Sequence, residues 1–110
     1  MTTQEFMDKY FTHETSLKKA EFDKTNSIIK FKIEYCEWQL EELAETKNNN
    51  KGYELIFYNV KNISNENIFK LQDEFILELK INKTKVYLGL DTDEYLDLSF
   101  SYKDFEVKDF

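Results

Sequence analysis

The sequence predicts an α+β fold, mainly antiparallel β: a curved sheet or sandwich of about six strands with a short N-terminal helix. Three observations lead there. Apolar and polar residues alternate with period two in several separate segments. Short polar turns join those segments. No helical pattern is long enough to serve as the crossover that parallel strands require. The 110 residues fit a single domain spanning 1–110.

The elements follow in order. Thr2 and Glu5 have capping-box spacing, and Phe6/Tyr10 and Met7/Phe11 lie four apart, which predicts a short helix over 3–11. Leu17 to Asp23 is a weak strand, and Asp23-Lys24-Thr25-Asn26 a turn. Ile29, Phe31, Ile33 and Tyr35 alternate with Lys30, Lys32 and Glu34, so one face of that strand is buried. Residues 37–47 read equally as a helical turn or a ragged strand end. A polar loop, Lys47 to Gly52, follows. Tyr53 to Val60 is apolar on both faces and suits a strand covered on both sides. Ile68 to Leu71 suggests one helical turn capped by Ser64 or Asn65.

Farther along, Phe75, Leu77, Leu79 and Ile81 alternate, and Asn82-Lys83-Thr84 turns the chain into Val86, Leu88 and Leu90. Asp91-Thr92-Asp93-Glu94 turns it again into Leu96, Leu98, Phe100 and Tyr102. Phe105, Val107 and Phe110 close the chain as a sheet edge, with Lys103 and Lys108 placed to blunt it.

Composition narrows the function classes. Fifteen basic and 22 acidic side chains give a net charge of −7, and every basic residue is Lys. Phosphate backbones repel such a chain, and no arginine fork is present to read guanine or phosphate, so nucleic acid is not an expected partner. A basic protein surface is, because complementary potential speeds encounter. Gly52 and Gly89 are the only glycines, too few for a dinucleotide fingerprint and too far apart for a Walker loop. With Cys36 and His13 each alone of their kind, no Cys/His zinc set and no intrachain disulfide can form. No apolar run approaches the ~20 residues of a membrane span. A lone cysteine and the lack of an export signal predict a cytoplasmic protein.

Several positions carry possible chemistry. Asp91, Asp93 and Asp97 match three positions of a calcium loop, but Leu96 stands where that loop needs Gly and Tyr102 where it needs Glu. The stretch therefore reads as an acidic hairpin turn, and no metal or cofactor is expected. His13 and Glu14 lie beside Ser and Thr residues, yet nothing marks the pocket and oxyanion donors a catalytic group needs. They read as a structural or polar site, and no catalytic residue is assigned. Carboxylates flank Cys36, which disfavours a thiolate. Trp38 lies among Glu37, Glu41, Glu42 and Glu45. An aromatic ringed by carboxylates is a candidate hot spot for a Lys- or Arg-rich partner.

The acidic stretch Glu37-Trp38-Gln39-Leu40-Glu41-Glu42 and the strands Leu55-Ile56-Phe57-Tyr58-Asn59-Val60 and Asp97-Leu98-Ser99-Phe100 give the chain an overall character. In that character it resembles the small immunity proteins of bacterial polymorphic toxin systems. The resemblance implies a non-catalytic domain that binds a partner toxin and blocks it. The functional expectation is therefore a non-enzymatic cytosolic binding protein whose Glu37, Trp38, Glu41, Glu42 and Glu45 occlude a basic surface. The alternative is a homo-oligomeric structural or accessory protein of phage or plasmid origin that assembles through its terminal strand.

Overall fold

Ile29, Phe31 and Ile33 are fully buried while Lys30 and Lys32 between them are exposed. That alternation organises most of the chain in the computed structural model, which describes all 110 residues. Seven strands form: β1 (Ser16–Asp23), β2 (Ile28–Glu34), β3 (Gly52–Tyr58), β4 (Gln72–Ile81), β5 (Lys85–Asp91), β6 (Tyr95–Ser101) and β7 (Asp104–Asp109). The seventh is the closing segment, which follows β6 with no Gly, Pro or Asn to mark a turn. Helix α1 (Thr3–Lys9) precedes the sheet, helix α2 (Glu37–Glu45) connects β2 to β3, and a 3₁₀ turn (Glu66–Lys70) lies between β3 and β4.

All seven strands belong to one open antiparallel sheet in the order β6-β5-β4-β1-β2-β3-β7. Because every neighbour is antiparallel, the edge strands β6 and β7 run in the same sense. In a flat sheet the end of β6 and the start of β7 would lie at opposite corners, about 30 Å apart across the strands alone. Only Tyr102 and Lys103 join them, and such a link spans at most about 11 Å. The sheet must therefore twist and coil until its edges meet at one corner. The rings record the result. Phe100 from β6 lies 6.0 Å from Phe31 and 5.2 Å from Phe57, although β2 and β3 are at the other end of the strand order.

Inside the coil a single cluster gathers Phe31, Ile33, Leu55, Phe57, Ile76, Leu88, Leu98 and Phe100 with their neighbours. Burying side chains of this size contributes about 1.5–3 kcal/mol each. Helix α1 docks on the same cluster. Thr2 and Glu5 form the expected capping box, and fully buried Phe6 packs between Tyr10, Tyr53 and Phe105. In β3, Ile56 is buried on the face away from the cluster, but Glu54 and Tyr58 on that face are half-exposed, so the strand is fully covered on its inner side only.

One strand departs from the sequence pattern. In β4 the register against β5 shifts between Ile76 and Glu78, so Leu77 is an extra residue. The bulge reverses the alternation. Ile76, Leu79 and Ile81 point inward, while Phe75 and Leu77, expected inside, are exposed. A second shift between Leu17 and Lys19 in β1 explains why Leu17 and Ala20, three apart, are both buried.

The two edges end differently. The segment after β3 lies against β6: Lys61 and Ser101 exchange backbone bonds of 2.9 and 2.8 Å, Ser64 donates to the Ser99 carbonyl at 3.0 Å, and Asn65 Nδ2 donates to the Asp97 carbonyl at 3.3 Å. No segment pairs its backbone with the outward edge of β7, although helix α1 packs beside that strand, with Phe6 against Phe105 and Tyr10 against Asp109.

Candidate functional site

Helix α2 resolves the ambiguous stretch, and it stands on one buried residue. Gln39 is fully buried although polar. Its Oε1 accepts from the Cys36 backbone N–H at 2.9 Å, satisfying a free donor at the helix start. Its Nε2 donates to the His13 carbonyl at 2.9 Å. Leu43, one turn on, packs against the core. Glu37, Trp38, Leu40, Glu41, Glu42, Ala44 and Glu45 all remain exposed.

Trp38 is held from below by a relay of rings. Tyr53, on β3, donates to the Phe11 carbonyl at 2.6 Å and touches the rings of Phe6, Tyr10 and Tyr35 at 5.6, 4.9 and 5.7 Å. Phe11 packs edge-on against Tyr35 at 5.9 Å and against Trp38 at 5.2 Å. Trp38 is thus braced on a fixed floor with 43% of its surface still open to solvent. Burial holds the Tyr53 hydroxyl well above its usual pKa. Burial, with the Asp109 carboxylate beside it, pushes Tyr10 up to about 12. Both are neutral at physiological pH, so neither tyrosine adds a charge beneath Trp38.

Trp38, Glu41, Glu42 and Glu45 are spaced zero, three, four and seven along α2, which puts them on one face. Glu37 flanks Glu41 one turn earlier. The structure therefore brings all five expected binding residues onto the exposed side of one helix. The chain has five ion pairs, and none involves these glutamates. The last turn of α2 carries no basic residue, so Glu45 sits at the negative end of the helix dipole. Like charges four apart add a second unfavourable term.

His13 and Glu14 link α1 to β1, and both are exposed. The His13 carbonyl anchors Gln39, and the Glu14 N–H donates to the Ile76 carbonyl at 2.9 Å with Glu14 in the left-handed region at φ 60°. No hydrogen bond joins the His13 imidazole to the Glu14 carboxylate. His13 lines a shallow cleft with Phe11, Glu42, Leu43 and Thr46. No nucleophile is hydrogen-bonded to the imidazole there. The Asp91–Asp97 hairpin spreads its carboxylates over an exposed turn, and no group of three potential ligands converges in the structure.

Sequence reasoning missed Gln39 and a second exposed surface. Phe75, Leu77 and Tyr95 are 42%, 44% and 53% exposed on the outer side of β4 and β6. Tyr95 lies across Gly89, where a Cβ would clash with its hydroxyl, and that hydroxyl is hydrogen-bonded to Tyr87. The available signal was two apolar series out of phase in one strand, Phe75/Leu77 and Ile76. For Gln39 there was none, because a polar residue among glutamates reads as solvated. No helix is long and apolar enough to cross a membrane. The chain matches no protein-family model, no curated protein and no solved structure.

Proposed function

We propose that this is a non-catalytic binding domain that uses the exposed face of α2 to cover a basic surface on another protein. One observation carries the reading: Trp38 is braced by Phe11 and stays open to solvent beside Glu41, Glu42 and Glu45, none of which has a cationic partner. A rigid aromatic anchor inside a rim of complementary charge is the pattern of an interface hot spot. The anchor is already immobilised, so little side-chain entropy is lost on binding. The unfavourable charges at the end of α2 support the same reading, because a cationic partner would relieve them. Covering a basic active site in this way excludes its substrate, which is how an immunity protein would neutralise a toxin.

The test uses the whole chain as bait for proteins of its native host. Wild type, the double variant Glu41→Lys/Glu42→Lys and Trp38→Ala are compared. A basic protein retained by wild type should be lost with both variants, and wild-type binding should weaken as salt rises. Equal retention by all three removes α2 from the function.

A further inference from the structure

The remaining feature is the free edge of β7. Phe110 and Gly52 exchange backbone bonds, each 3.2 Å, at the end of the β3–β7 ladder. From that pair the antiparallel rule runs backward: Lys108 and Glu106 turn their N–H and C=O toward β3, and Phe105, Val107 and Asp109 turn theirs away. Those outward groups of Phe105, Val107 and Asp109 meet no hydrogen-bond partner. Their side chains lie on the coil's inner face, where Phe105 and Val107 are only half-buried. On the outer face Glu106 and Lys108 are exposed. The opposite edge, β6, is covered by Lys61, Ser64 and Asn65.

We propose that the β7 edge pairs with the β7 edge of a second copy of this chain, antiparallel and centred on Val107. Hydrogen bonding allows only registers that set outward-facing residues opposite one another. With Val107 facing its copy on the two-fold axis, each Glu106 stands directly across from the Lys108 of the other copy. Two cross-strand pairs of opposite charge result, each contributing favourably. Slipping the register by two residues puts Glu106 against Glu106 in one direction, a repulsion set against the Asp104–Lys108 pairs formed there, and Lys108 against Lys108 in the other. The charge pattern of β7 therefore selects one register and suits a second copy of itself, an isologous contact that closes at two chains. Lys108, expected to blunt the edge, instead becomes the residue that sets the pairing. The two coiled sheets join into one, leaving α2 free on each copy.

Sedimentation equilibrium on the whole chain at low salt, from low to high micromolar concentration, tests the proposal. Wild type should show a concentration-dependent dimer. Lys108→Glu turns both attractive pairs repulsive and should weaken association by about tenfold or more. Adding Glu106→Lys to it restores opposite charges and should restore the dimer. Val107→Pro removes an outward N–H that β3 does not use, so it should be monomeric with an unchanged circular dichroism spectrum. A wild type that stays monomeric throughout overturns the proposal. So does a dimer that survives Val107→Pro, or a double variant that fails to reassociate. The α2 variants should dimerise like wild type, which separates this outcome from the binding reading.

Discussion

The ring cluster around Phe57 and the outer face of α2 are linked by one relay of aromatic contacts, yet they are built on opposite terms. Around Phe57 each ring touches others: Phe31, Phe100, Tyr102 and Phe105 all lie within 6.2 Å of it, and Phe57 itself is fully buried. On α2 the large side chains face water, and charges of one sign are stacked along the helix toward its negative end. The first region supplies the stability of the fold. The second costs some of it. Residues that lower stability without shaping the core are where function is expected to reside.

That contrast can be broken at three places. Phe57→Ala should have the largest effect, destabilising by about 3–5 kcal/mol in a urea titration, because no single neighbour can fill the space left among four rings. A loss below about 1 kcal/mol would mean that the cluster is not the centre of the fold.

Tyr53→Phe tests the relay between the two regions. Deleting the hydroxyl that holds the Phe11 carbonyl should cost about 1 kcal/mol at neutral pH. It should also change the alkaline limb of stability. The folded chain keeps the Tyr53 proton more tightly than the unfolded chain, whose tyrosines titrate near 10.0. The stabilisation is therefore complete below pH 10 and is lost as pH rises above it. Thermal melts from pH 8 to 11.5 should show wild type losing stability more steeply than Tyr53→Phe. Parallel curves would place the alkaline sensitivity in another group.

Glu45→Lys has the smallest expected effect on folding, and its sign is the informative part. Removing a like charge and placing a cation at the helix C-terminus should stabilise the isolated protein by a few tenths of a kcal/mol. The same change should weaken capture of a basic partner. A destabilised variant would show that α2 is not under the electrostatic load assigned to it.

Much of this architecture was legible before any coordinates. Strands such as Ile29–Ile33 and Leu96–Tyr102 have one strict alternation each, and period two leaves little freedom. β1 read as weak, and the first half of β4 (Phe75 and Leu77, but not Leu79 and Ile81) was read in the wrong phase, for the same reason: each strand contains a bulge, which adds a residue that the pattern cannot reveal. The five α2 residues were singled out by their chemistry, without knowing that they lie on a helix. Gln39 was not, because its role depends on a carbonyl 26 residues away in sequence. Nor could local pattern show that one edge of the sheet is covered and the other is not, since the cover arrives from the distant segment Lys61–Asn65.

The two-residue link between β6 and β7 has a kinetic consequence. β7 completes the sheet by pairing with β3, so everything between Tyr58 and Asp104 must be brought round before that ladder gains a single bond. Closing such a long loop is entropically expensive, and topologies dominated by distant pairings fold in milliseconds to seconds rather than microseconds. Phe6 finds part of its seat only when Phe105 arrives. The first helix of the chain is thus among the last parts of the molecule to come to rest.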